Sequence, residues 1–216
     1  MSRSVRLQAR PVTCALAAVS VVVLLSLLGL PTAQRELVLL RWAAIPLEIT
    51  EGDLPPGVPV TPALTLLTSL FLHADPLHLA GNLFYSWVFG VPVERRLGAP
   101  RYAGLYLGCG LAGGVLQVAA YPTSMIPIVG ASGAVAGLMA AYVVLFPRPN
   151  LRTLVCGGWL VFQLLDGLSL GAGTERWVGG PASWSHLGGL VAGALLAGLA
   201  AADLRAPRGS TGLKVP

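Results

Sequence analysis

A serine hydroxyl, three imidazoles and a carboxamide are the side chains of this sequence best suited to acyl-transfer chemistry, and each sits in a short distinctive string. Ser132 stands in GASGAVAGL, His186 in SHLGGLVAGAL, and His73, His78 and Asn82 in FLHADPLHLAGNLF. The chain has no other histidine, so imidazole chemistry near neutral pH falls to these three. His78 and Asn82 are four apart and share a helix face, one turn above the other. Ser132 lies at or near a helix N-terminus, where free amides and the helix dipole favour a developing oxyanion. A hydroxyl, an imidazole to take its proton and donors for an oxyanion are the parts that nucleophilic acyl transfer requires.

The elements that must position these groups are membrane helices. Of 216 residues, 55% are hydrophobic and only 11% charged, and the mean hydropathy is +0.74. That composition excludes a soluble globular domain. A window of about 19 residues, enough to cross roughly 30 Å of hydrocarbon, picks out six spans, near 12–30, 62–90, 101–120, 132–146, 153–170 and 186–203. The first could instead be a signal peptide, since Arg3, Arg6 and Arg10 precede an apolar run ending near Pro31. Its length and the lack of a clear cleavage site favour retention. The expected fold is an all-α membrane protein, a six-helix bundle over 12–203 between cytoplasmic segments 1–11 and 204–216.

Fourteen basic against nine acidic residues give a net charge of +5, too few and too scattered for nucleic acid. The excess is a topology signal. With the N-terminus inside, Arg3, Arg6, Arg10, Arg95, Arg96, Arg101, Arg148, Arg152, Arg205, Arg208 and Lys214 are cytoplasmic, and only Arg35, Arg41 and Arg176 are outside. This positive-inside bias places both termini in the cytoplasm, and the short inner turns fit a compact prokaryotic inner-membrane protein. Residues 31–61 form the longest outer loop; Trp42 and its prolines predict a segment folded at the interface. Cys14, Cys109 and Cys156 are isolated in apolar runs and read as packing or lipid-facing residues.

His73, His78, Asn82, Ser132 and His186 all fall toward the outer ends of spans two, four and six, where polar side chains in a membrane demand an account. Span four would extend only about 22 Å, so Ser132 should lie below the outer surface, beside protein or a water-filled cavity. Gly133 and Gly137, like Gly189 and Gly193, recur at four, the pattern that lets helix backbones approach closely. Packing spans four and six together would bring the His186 ring within hydrogen-bonding reach of Ser132 Oγ.

At these residues the chain resembles the rhomboid family of intramembrane serine proteases. The likeness covers roughly residues 60–200: H-x4-H-x3-N at His73, His78 and Asn82, E-R-R-L-G at Glu94 to Gly98, G-x-S-G-A at Gly130 to Ala134, and S-H-x-G-G-x3-G from Ser185 to Gly193. The resemblance implies a dyad of Ser132 as nucleophile and His186 as general base and then acid. It further implies that His78, Asn82 and the Ser132 N–H stabilise the oxyanion, with His73, Gly130, Gly133, Gly189 and Gly193 in support. Transmembrane proteins would be the substrates, with no metal or other cofactor, and the site would open to the outer face. Ala136 departs from members that carry there an aromatic ring stacked on the histidine, which leaves His186 less tightly held unless another side chain supplies the contact.

Plainer readings compete. Ser132 alone could bond its own backbone, and His78 and Asn82 could be interhelical glue. Asp166 is a tempting third triad member, better read as a cap or loop contact. Glu94 is expected to form an ion pair with its Arg neighbours on the cytoplasmic turn. Zinc held by the histidines with Asp75 or Asp166 would leave Ser132, Asn82 and the glycines unexplained. A non-proteolytic rhomboid-like protein that binds transmembrane clients is the alternative function, and a transporter lacks any visible inverted repeat.

Overall fold

The computed structural model describes residues 10–52, 61–169 and 183–205. Apart from one isolated antiparallel bridge between Ala44 and Ile128, the regular structure there is helical. The helices are α1 (Pro11–Leu28), α2 (Thr32–Trp42), α3 (Pro46–Glu51), α4 (Pro62–Thr68), α5 (Pro76–Tyr85), α6 (Val91–Leu97), α7 (Ala99–Ala120), α8 (Ser132–Leu145), α9 (Leu151–Ser169) and α10 (Ser183–Arg205). Among the described residues, Pro11–Leu28, Ala99–Ala120 and Ser183–Leu204 are each long and apolar enough to cross a bilayer, and Pro62–Phe71 and Ser132–Leu145 are shorter apolar helices. Val22, Leu25, Leu195 and Leu199 stand exposed along α1 and α10. Water would penalise such surfaces and hydrocarbon does not.

The stretch 62–90, expected as one span, is broken. α4 runs through a 3₁₀ turn to Phe71, the chain extends over Leu72–Asp75, and α5 begins at Pro76. The Asp75–Pro76 pair explains the break: a residue before proline is pushed out of helical geometry, Pro suits the first helical position, and Asp75 is the N-cap, accepting from the His78 N–H at 2.8 Å. Asp75 therefore fixes where α5 starts, and His73 lies in the break rather than on the helix.

From Pro76 the chain stays helical to Leu97, past residue 90, where the hydropathy window ends the span. Residues Ser86–Gly90 form a π turn between α5 and α6. Pro92 accounts for it: inside a helix its ring clashes with the carbonyl four residues back and it donates no bond, and a wider turn relieves both. Gly90 tolerates nothing larger here, because a Cβ would strike the Tyr102 hydroxyl and come within 3.1 Å of Leu138 Cδ1. The helix stops at Gly98, whose φ of +82° suits glycine.

Glu94 corrects a second expectation. Its carboxylate turns inward, nearly fully buried, and accepts from Val12 N–H at 2.9 Å, Thr13 N–H at 3.0 Å and Thr13 Oγ1 at 2.6 Å. The first amides of a helix lack intrahelical partners and carry partial positive charge, so α1 presents a better partner than a solvated Arg. The ion pair among the described residues is instead Arg101 with Asp203, both exposed, which ties the start of α7 to the end of α10.

The core gathers Phe89, Val93, Tyr102, Leu105, Cys109, Leu138 and Met139 from α6, its π turn, α7 and α8. Cys109 and Cys156 are buried and Cys14 is exposed, all as free thiols. α10 packs most extensively on α8 and α7. The described part of residues 31–61 carries α2 and α3 and is tied to the rest of the chain: Arg35 Nε donates to Leu27 O at 3.2 Å, Thr68 Oγ1 to Trp42 O at 2.7 Å, and Leu47 N–H to Ser124 O at 3.1 Å.

Candidate active site

Ser132 is the first residue of α8, a helix of 14 residues that extends only about 21 Å. No side chain caps it, and its first intrahelical bond runs from Val135 N–H to Ala131 O at 2.9 Å. The amides of Ser132, Gly133 and Ala134 thus precede the ladder, the local geometry in which a helix end receives negative charge. The loop leading in is tied down by backbone bonds: Ile128 N–H to Ala44 O at 2.8 Å and Gly130 N–H to Ser69 O at 2.9 Å. Non-helical backbone at membrane depth survives only when satisfied in this way.

Gly130 joins two of the motifs. Its φ is +106°, and a Cβ there would lie 2.7 Å from both Cε1 and Nε2 of His78 and 3.5 Å from Nδ2 of Asn82. The shared face of His78 and Asn82 on α5 therefore lies against the chain two residues before Ser132. His73, buried in the break, meets the His78 ring edge-on, with centroids 5.1 Å apart.

α10 brings the third motif. A Cβ on Gly189 would collide with the Gly133 carbonyl, and one on Gly193 with the Gly137 carbonyl. A Cβ on Gly133 would in turn come within 2.8 Å of Ser185 Oγ. The two glycine pairs face each other, and α8 and α10 touch backbone to backbone. The turn carrying Ser185 and His186 is thereby set beside Gly133, the residue after Ser132. Ser185 is held by its N–H to Gln117 Oε1 at 3.0 Å.

The arrangement leaves polar groups idle. Five buried side-chain atoms lack a hydrogen-bond partner among the described residues, and four belong to His73, Asn82 and His186; the fifth is Tyr102 Oη. Buried donors are ordinarily satisfied, since an unmade bond costs about 1–3 kcal/mol. The hydrogen bond expected between Ser132 and His186 is not formed, although α8 and α10 pack as closely as the glycines predict. Nucleophile and base often tighten only around a substrate.

Trp159 on α9 supplies what Ala136 cannot. Its ring stands 5.2 Å from the His186 ring at 54°, so the histidine has an aromatic neighbour from a different helix. Nothing in the α9 sequence marks Trp159; it belongs to no motif, and only packing reveals it. Asp166 lies on α9, with its side chain outside the described residues. Asp75 is spent as a helix cap, and among the described residues no three His, Cys, Asp or Glu side chains gather as metal ligands would.

A model of the Rhomboid domain family matches residues 61–202, and the chain belongs to the rhomboid family of membrane proteins. It is 33% identical over 130 residues to RHOMBOID-like protein 6, mitochondrial, of Arabidopsis thaliana, covering 59% of this chain and 40% of that protein. Rhomboid protease GluP of Bacillus subtilis is 35% identical over 131 residues, 59% of this chain and 24% of that one. Inactive rhomboid protein 1 of Drosophila melanogaster is 38% identical over 80 residues, 37% of this chain and 6% of the other. The chain spans less than half the length of each of these relatives.

Proposed function

We propose that this protein is an intramembrane serine endopeptidase that cleaves peptide bonds in or near transmembrane segments of other membrane proteins. The observation that carries the reading is the convergence at the head of α8: His78 and Asn82 against Gly130, and the His186 turn against Gly133, on either side of Ser132. Ser132 Oγ attacks the scissile carbonyl carbon while its proton passes to His186. The oxyanion is received by the Ser132 N–H, Asn82 and His78, and the otherwise idle Asn82 donor acquires a partner only then. Collapse breaks the C–N bond, with His186 protonating the departing amine. Water, deprotonated by the same imidazole, then releases the acyl group and restores Ser132.

The reading includes six membrane spans within 12–203, cytoplasmic segments 1–11 and 204–216, a location in the cell's inner membrane and a site open to the outer face. Substrates should carry a locally unstable helix with small residues, because an intact helix hides its carbonyls from attack. One relative is named inactive, so a domain match alone does not decide activity; a client-binding protein without proteolysis is the second reading. The presence of both Ser132 and His186 favours the protease. Cleavage of a transmembrane substrate in liposomes by wild type, Ser132→Ala and His186→Ala tests it: loss in both variants is expected, and equal cleavage by all three refutes it.

A further inference from the structure

At the end of the bundle opposite Ser132 lies an open groove of about 550 Å³ that the proposed proteolysis does not use. Four arginines line it, Arg10 at the start of α1, Arg95 and Arg96 on α6, and Arg152 on α9. Its other walls are apolar: Trp87, Val88, Val91 and Phe146. Arg10 lies over the Trp87 ring, 4.6 Å from its centroid. Arg152 donates from Nη1 to Tyr142 Oη at 3.3 Å and stands 5.5 Å from that ring. These contacts aim two guanidinium groups without neutralising them.

Among the described residues no carboxylate lines the groove, and none pairs with any of the four arginines. Glu94, adjacent in sequence, is committed to the amides of α1. Residues 1–9 contain Arg3 and Arg6 and no acid, so that segment cannot neutralise the groove either. Four like charges around one cavity repel, and an anion filling it would relieve them. Planar guanidinium groups match phosphate oxygens in particular.

We infer that this groove binds the headgroup of an anionic phospholipid, with the phosphate among Arg10, Arg95, Arg96 and Arg152 and an acyl chain along Trp87, Val91 and Phe146. The apolar walls select a lipid over a free anion, which would leave them wet. Trp and Arg together are the side chains that anchor a membrane protein at headgroup depth. The bound lipid ties the ends of α1, α6 and α9 together.

Native mass spectrometry and thermal unfolding of the full chain in neutral detergent test this, with phosphatidylglycerol, phosphatidylcholine or inorganic phosphate added separately. Phosphatidylglycerol should be retained preferentially and raise the melting temperature, as a ligand specific to the folded state must. Each arginine is worth about fivefold in preference over phosphatidylcholine, so Arg95→Gln with Arg96→Gln and Arg152→Gln should reduce it about a hundredfold. The matching Lys substitutions, which keep the charge and lose the planar fork, should fall between wild type and the Gln variant. Should the Gln triple variant fail to fold, Arg152→Gln alone carries the comparison, with a drop of about fivefold. Equal retention of the two lipids, an unchanged preference in the Gln variants, or equal stabilisation by inorganic phosphate overturns the proposal.

Discussion

At the Glu94 end of the bundle a buried carboxylate accepts three hydrogen bonds from the start of α1. At the Ser132 end, Asn82 Nδ2 and His186 Nδ1 are buried polar atoms that no described residue engages. Both ends place costly polar groups in an apolar setting. The first satisfies them internally and so contributes stability. The second holds them open, and an open buried donor lowers stability unless something else arrives to accept from it. A site organised around a transient oxyanion has this character, because its donors should be best satisfied in the transition state and not before.

That contrast can be broken by experiment. Ser132→Ala should abolish cleavage, by about a thousandfold or more, while leaving the melting temperature in detergent within a degree or two of wild type; residual cleavage near the wild-type rate would place the nucleophile elsewhere. Glu94→Ala should do the reverse. Stripping three hydrogen bonds from a buried site costs about 3–5 kcal/mol, read as a lower midpoint in denaturant, with per-molecule activity of the folded fraction near wild type. A stability unchanged by Glu94→Ala would remove the distinction between the ends.

Asn82→Leu tests the idle donor itself. Cleavage should fall by about 10²–10³, the usual loss for one oxyanion donor, and stability should hold or rise, because the amide being removed has no partner to strand. A large drop in melting temperature would instead make Asn82 structural glue. The smallest effect is expected at Trp159. An aromatic contact is worth about 0.5–1.5 kcal/mol, so Trp159→Ala should lower kcat by up to about tenfold with little change in KM, and Trp159→Phe should recover most of it. Full activity in Trp159→Ala would show that His186 is held by other contacts.

Much of the candidate site is legible in the sequence. The four-residue spacing of His78 and Asn82 and the two glycine pairs follow from helix periodicity, which is local. The start of α8 at Ser132 also matched, since the glycine and serine before the apolar run mark a helix head. The break at Leu72–Asp75 was written in the Asp75–Pro76 pair and hidden by a hydropathy average taken across it. The π turn at Ser86–Gly90 was not legible, because Pro92 could equally have ended the helix; packing of Gly90 against Tyr102 and Leu138 favours continuing it. Charge alone pointed Glu94 to its neighbouring arginines, whereas its partners lie 81 and 82 residues earlier in the chain.

The sequence by itself determined that the chain must leave water, which side chains are suited to acyl-transfer chemistry, and which helix faces can approach to backbone contact. Those properties depend on composition and on spacing within one turn. Only the tertiary structure decided who meets whom: Gly130 against His78 and Asn82, Trp159 against His186, Glu94 against α1, and four arginines around one groove. Each of those contacts depends on how one helix is rotated and set against another. In a membrane that choice is poorly encoded by hydrophobicity, because lipid and neighbouring helix are equally apolar, and close packing and polar pairing decide it instead.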